Sequence, residues 1–394
     1  MNFQTSRLNK TRAAGVASRM AIFGPIAANV AFVMELTLVP LLLPAIQRQF
    51  GLSMGDLGWV FNSYGFAVAI GVLFGGWLGD AFYTRKVFGG GVALFAAGSL
   101  LVAVAESFDA LIIGRILQGF GAGIFSPLVP LLLTRASPRK PGRMLIIWGS
   151  IAGYVAAFAP LLYGNILAGY NWKLAFVLNA SVAIIALVIL SGSTLAARRK
   201  RPIHAKRNYR ELLRARDLWI IFVYVFCTYG SITYYLFRLP VWLSNNQVNE
   251  ASIGLVLSVL WLAFSILSAL LRNLVDRAHI KTIMIAAPIL IIFALPPLFY
   301  NENLALVVLS SILVGCGLAC SNSPSTQLIL RFAPKGMSGV STSLDITFAR
   351  AGGIVTVSVL ANTQPTHAAA VVCIFCLLAV FCMLTVNKRL TEGK

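Results

Sequence analysis

Long apolar runs separated by short charged stretches make up most of this chain of 394 residues. Twelve runs are long enough to cross a bilayer, which takes about 20 residues of helix. They cover approximately 20–46, 57–79, 87–105, 110–134, 144–168 and 174–196, then 218–243, 251–274, 282–300, 304–330, 338–362 and 367–386. Strands of a membrane barrel would alternate apolar and polar positions over roughly 10 residues, which these runs do not do. The pattern predicts an all-α polytopic membrane protein. Pro40, Pro44, Pro160, Pro288 and Pro324 fall inside runs, where proline predicts kinks and close contacts rather than helix ends.

The polar punctuation repeats. Leu78, Asp80, Gly119, Gly121, Arg135 and Pro138 return 196 positions later as Leu274, Asp276, Gly315, Gly317, Arg331 and Pro334. Six runs per copy predict twelve transmembrane helices in two pseudo-symmetric six-helix bundles, residues 1–196 and 218–394, joined by a basic segment at 197–217. Membrane proteins built from two parallel repeats hold substrate between the halves, so transport is the leading expectation.

Composition agrees, with 58% hydrophobic and 11% charged residues. The net charge of +20 invites a nucleic-acid partner until its placement is read. With the amino terminus inside, the outer segments hold three Lys and Arg, namely Arg48, Lys173 and Arg238. That asymmetry is the positive-inside rule, and it predicts both termini in the cytoplasm, an inner (plasma) membrane location and no nucleic-acid partner. The first apolar run, about 25 residues, exceeds the core of a secretory signal and lacks a small-residue cleavage site, so no cleavable leader is expected. In the linker, Tyr209, Leu212 and Leu213 amid Arg210, Arg214 and Arg216 suggest a short helix against lipid headgroups, or a solvated tether.

The six cysteines all lie in apolar runs, which implies no disulfide framework; Cys373-Ile-Phe-Cys376 reads as apolar packing rather than a metal motif. His204, His279 and His367 lie in loops or at a run end. No metal, no cofactor and no enzymatic activity are expected.

Chemistry should concentrate where charge enters hydrocarbon, because an ionised group at the centre of a membrane helix costs about 2.5–3.5 kcal/mol on insertion scales. Glu35, Arg115, Asp345 and Arg350 qualify. Glu35 lies about 20 Å into the first run, near the bilayer midplane. A carboxyl group there can bind and release a proton as access alternates between the two sides. Arg115 heads a small or polar helix face continuing through Gln118, Gly119, Ala122 and Ser126. Asp345 and Arg350 are five positions apart, about 140° around a helix, so each needs a partner elsewhere.

At these residues the chain resembles the major facilitator superfamily. Gly76-Trp-Leu78-Gly-Asp80-Ala-Phe-Tyr83-Thr-Arg85-Lys86 is similar to the loop signature that follows the second helix of that family, and Leu274-Val-Asp276-Arg277 echoes it. Three stretches resemble the drug:proton antiporter branch: Met34-Glu35-Leu-Thr37 with Pro40 and Pro44; Gly114-Arg115-Ile-Leu-Gln118-Gly119; and Ala159-Pro160-Leu-Leu-Tyr163-Gly164 followed by Trp172-Lys-Leu-Ala-Phe176.

The resemblance implies the major facilitator fold, with Glu35, Arg115 and the tyrosines of the seventh helix, Tyr224, Tyr229, Tyr234 and Tyr235, on a central cavity. It implies proton coupling through Glu35, Arg115 and Asp345, substrate contacts from Glu35, Arg115, Gln118, Tyr229, Tyr234 and Arg350, and gating at Gly76, Asp80, Arg85, Asp276, Pro160 and Gly164. The function expected is proton-coupled efflux of small amphipathic compounds by a monomer in contact with membrane lipids. The alternative is a dedicated metabolite exporter, for a siderophore or a sugar, in which Arg115, Arg350 or Arg238 meets an anionic group.

Overall fold

The computed structural model describes residues 2–81, 84–137, 141–167, 171–192, 209–275, 280–296, 303–334 and 337–386, the side chains of 2–19, 76–77, 79–81, 141–142, 166–167, 209 and 272–275 excepted. They form helices α1 (Asn2–Phe50), α2 (Met54–Ala81), α3 (Thr84–Val104), α4 (Phe108–Phe125), α5 (Leu128–Ala136), α6 (Pro141–Leu167), α7 (Lys173–Ser191), α8 (Tyr209–Arg214), α9 (Arg216–Asn245), α10 (Glu250–Val275), α11 (Ile280–Ala294), α12 (Leu304–Phe332), α13 (Ser338–Leu360) and α14 (Pro365–Thr385). No strand occurs among the described residues.

Eleven helical stretches are long and apolar enough to cross a membrane. Within the ninth expected span, 282–300, the described residues form a helix over Ile280–Ala294. The sequence Leu295-Pro296-Pro297 accounts for its end, because a residue before proline is pushed out of the α region. The fourth span is one stretch in sequence and two helices in space. It breaks at Ser126-Pro127, where proline supplies no N–H to continue the ladder. In the linker, α8 is helical as expected, but Leu212 is buried while its neighbour Leu213 is 68% exposed, so the two do not share an apolar face.

The helices group into two compact units: Met1–Glu35, Ile70–Val155 and Lys173–Ile203 in one; Leu36–Ala69, Ala156–Trp172 and His204–Lys394 in the other. Without a hydrophobic drive inside lipid, membrane helices cohere by close backbone approach at small residues. In the first unit a Cβ at Gly98 would collide with the backbone of Gln118, and one at Gly121 with Phe95 and Gly91, so α3 and α4 touch along their length. Phe125 closes this unit's core edge-on to Phe32, Phe88 and Phe95. In the second unit Gly352 lies against the Phe226 carbonyl, Gly315 against the Leu260 carbonyl and Gly317 against Ala287 and Ile291.

The internal repeat governs local structure as well as sequence. Ser53 and Asn249 cap α2 and α10, accepting from the N–H of Asp56 at 3.1 Å and of Ser252 at 2.8 Å. Ser107 and Asn303 cap α4 and α12, accepting from Ala110 at 3.3 Å and Ala305 at 2.9 Å. Each pair is separated by the 196-residue shift. Side-chain oxygens satisfy the orphan N–H groups of the first helical turn, a task that serine and asparagine perform equally well. The crossing of Gly121 over Gly91 and Phe95 likewise returns as Gly317 over Ala287 and Ile291.

Candidate functional site

Glu35, 2% exposed, sits within a hydrogen-bonded set of polar side chains in the first unit. Its Oε1 is ion-paired to Arg115. Its Oε2 accepts from Gln118 Nε2 at 2.7 Å and from Asn179 Nδ2 at 2.9 Å. Gln118 ties the group together: its Oε1 accepts from Arg115 Nη1 at 2.8 Å, and its second amide hydrogen goes to Ser99 Oγ, also at 2.8 Å. Ser99 then donates to the Phe95 carbonyl at 2.9 Å. Five polar residues from α1, α3, α4 and α7 therefore converge at one depth.

Local sequence explains the convergence. Arg115 and Gln118 are one turn apart on α4 and share a face. Gly98 lets the α3 backbone approach Gln118, which brings Ser99 within reach. Arg115, Gln118, Ser99 and Asn179 are all at most 2% exposed, so the pair is removed from solvent. Further hydrogen bonds support a buried ion pair, and here Gln118 bonds both members while Asn179 bonds the carboxylate. The Oδ1 of Asn179 has no hydrogen-bond partner. The arrangement sets the Glu35 carboxylate against the Arg115 guanidinium out of water, so removing either partner strands a buried charge.

Sequence reading brought Glu35, Arg115 and Gln118 forward and missed Ser99 and Asn179. Asn179 carried a signal, as the one amide in the apolar run Ala175-Phe-Val-Leu-Asn179-Ala-Ser-Val-Ala. Ser99 carried none.

In the second unit Asp345 is 8% exposed and accepts one hydrogen bond, from Thr326 Oγ1 on α12 at 3.0 Å. That hydroxyl also lies 3.2 Å from the Asn322 carbonyl, and it has a single proton for both. Tyr229 donates to Asn322 Oδ1 at 2.7 Å. Neither Asp345 nor Arg350 forms an ion pair among the described residues. Arg350, half-buried, interacts electrostatically with Tyr64 and Tyr229, and Tyr229 with Asp345. Asn322 and Ser323 are exposed in the interior of a helix that is apolar enough to span a membrane. Such groups do not face lipid, so this surface of α9, α12 and α13 lines water. Tyr224, Tyr234 and Tyr235 are instead fully buried, Tyr224 donating to the Met284 carbonyl at 2.8 Å and Tyr235 bonded to Ser310 and Ser311.

The expected gating residues are scattered. Gly164 on α6 meets α10: a Cβ there would lie 2.7 Å from the Glu250 carbonyl, and one at Gly254 would collide with the Pro160 carbonyl. Near that crossing Arg48 pairs with Glu250 at 3.1 Å, 63% and 37% exposed, a contact that solvent and salt weaken. Arg85 Nη2 donates to the carbonyls of Leu190 and Ser191 at the end of α7, at 2.6 and 3.0 Å. Gly76 and Asp80 fall in the last turns of α2, where side chains lie outside the described residues, as does Asp276 entirely.

Residues 26–357 match the model of the Major Facilitator Superfamily. A multidrug resistance protein B homolog of Mycobacterium tuberculosis is 34% identical over 156 residues, 39% of this chain and 29% of that protein. The cephamycin export protein CmcT of Amycolatopsis lactamdurans is 34% identical over 201 residues, 50% of this chain and 40% of that protein. The matched segments thus span well under half the length of these curated relatives. A solved D-xylose–proton symporter superposes with a TM-score of 0.75 at 16% identity, covering 96% of this chain and 99% of that one. That likeness concerns the fold alone, and it agrees with the family match over most of the chain. The protein is a member of the Major Facilitator Superfamily.

Proposed function

We propose that this protein is a proton-coupled secondary transporter that exports small amphipathic organic compounds across the inner membrane by alternating access, with both termini in the cytoplasm. One observation carries the reading: Glu35 is an acid in a membrane helix, ion-paired to Arg115 and hydrogen-bonded by Gln118 and Asn179 in a site closed to solvent. The relatives' names, which concern drug resistance and antibiotic export, support export as the direction and organic compounds as the cargo.

In this reading the proton and Arg115 compete for Glu35. When a proton binds Glu35, Arg115 loses its counter-charge and must find another in water or in a second arrangement of the helices. Protonation thereby changes the relative stability of the two access states, and a ligand shifts such an equilibrium only by its differential affinity for them. Residues 1–196 and 218–394 are the two moving halves, with 197–217 as their tether. Gly76, Asp80, Arg85 and Asp276 bias one access state, and the close crossing at Pro160 and Gly164 biases the other.

The experiment is transport by the purified protein in proteoliposomes with a pH-sensitive dye inside. A cargo gradient should drive proton movement in the opposite direction in the wild type. Cargo movement that persists unchanged after collapse of both pH gradient and membrane potential, with no proton signal, contradicts the reading.

A further inference from the structure

Asp345 and Arg350 are opposite charges in one membrane helix, and they are not paired with each other. Their spacing is the reason. A separation of four positions would stack them on one face, whereas five sets them about 140° apart and about 7.5 Å along the axis. Among the described residues the carboxylate accepts a hydrogen bond from the shared hydroxyl of Thr326, and the guanidinium interacts electrostatically with Tyr64 and Tyr229. Tyr229 interacts with both charges, so they border the same space, and the exposed Asn322 that Tyr229 bonds places that space in contact with water. In the other unit every charge of the Glu35 site is met by a built partner. Two charges on a water-lined surface, with no charged partner among the described residues, are open to a ligand that carries both counter-charges.

We propose that Asp345 and Arg350 bind an amphoteric cargo, an organic molecule with a cationic amine and an anionic group separated by more than about 7 Å. The amine sits on Asp345 with Thr326 and Asn322, and the anionic group on the Arg350 guanidinium. Guanidinium is suited to a carboxylate, which it can meet with two parallel N–H donors. The proposal deepens the exporter reading and rests on it for the cargo's passage, while assigning charge recognition to a place other than the proton site.

The test is equilibrium dialysis of the full chain in detergent, without a membrane or a gradient, so that a failure of proton coupling leaves this result standing. The probes are norfloxacin as the amphoteric compound, tetraphenylphosphonium as a monocation and salicylate as a monoanion. Norfloxacin should bind at least tenfold more tightly than either. Asp345→Asn should weaken norfloxacin and tetraphenylphosphonium tenfold or more and leave salicylate; Arg350→Gln should weaken norfloxacin and salicylate and leave tetraphenylphosphonium. A measurement on the wild type covers variants that do not fold: tetraphenylphosphonium and salicylate should each displace norfloxacin yet bind together without displacing each other. Norfloxacin binding no tighter than the monocation, norfloxacin affinity within twofold of wild type in both variants, or mutual displacement of the two single-charge probes would overturn the proposal.

Discussion

Arg85 and Lys281, 196 positions apart, close the ends of two helices in the same way. Arg85 donates to the Leu190 carbonyl at the end of α7 at 2.6 Å, and Lys281 to the Val386 carbonyl after α14 at 3.0 Å. Each bond joins residues 105 positions apart. A cation there satisfies carbonyls that have no helical partner and meets the negative end of the helix dipole. The repeat has kept the bond while changing the residue that makes it.

Arg85→Gln and Lys281→Gln should therefore destabilise by similar amounts, about 1–2 kcal/mol each, combining a charged hydrogen bond with the dipole contribution. Arg85→Lys and Lys281→Arg should stay close to wild type. Thermal melting in detergent decides this, and a loss confined to one of the two ends would contradict the equivalence.

Removing one partner of the buried pair should be worse than removing both. Arg115→Gln leaves Glu35 ionised without its cation and should destabilise by about 3–5 kcal/mol, whereas Arg115→Gln with Glu35→Gln should recover much of that loss. Melting temperatures of the singles and the double give the coupling. Additive losses would mean that the pair contributes nothing as a pair.

Asn179→Leu keeps the volume of the side chain and removes one donor to the carboxylate, together with an acceptor that had no partner. The two effects oppose each other, so the net destabilisation should be modest, about 1–2 kcal/mol. Maximal transport should fall severalfold with cargo affinity unchanged. Normal maximal rate with lost affinity would move Asn179 from the proton site to the cargo site.

These residues also show how far the sequence could be read. Glu35, Arg115 and Gln118 stood out because charge and amides in apolar runs are conspicuous, and the i, i+3 spacing on α4 fixed two of them on one face. Ser99 was silent, since a serine in a membrane helix commonly bonds its own backbone; its role depends on Gly98 admitting α4, a fact of packing. The caps Ser53 and Asn249 hid from a search for repeated residues because the chemistry repeats while the residue changes. Asp345 and Arg350 were legible as charges, and their helical angle correctly kept them apart. That they lack charged partners among the described residues required the structure.

Gly254→Val should overpack the crossing of α6 and α10, where a Cβ already meets the Pro160 carbonyl, and cost about 1–3 kcal/mol. Gly149→Ala, on the same helix α6, meets nothing within 4 Å and should be neutral. Thermal stability and transport rate should both fall for the first and for neither in the second. Wild-type behaviour of Gly254→Val would mean that the two helices do not need to touch for transport.

The central claim is that the proton exchanged for cargo binds Glu35. Proton flux measured in proteoliposomes with an internal pH dye tests it most directly, comparing wild type with Glu35→Gln, whose amide keeps the shape of the side chain and cannot titrate. A cargo gradient should drive protons in the wild type and move none in Glu35→Gln, although that variant still elutes as a folded protein. Equal cargo-driven proton flux in the two would contradict it and place the coupling acid elsewhere.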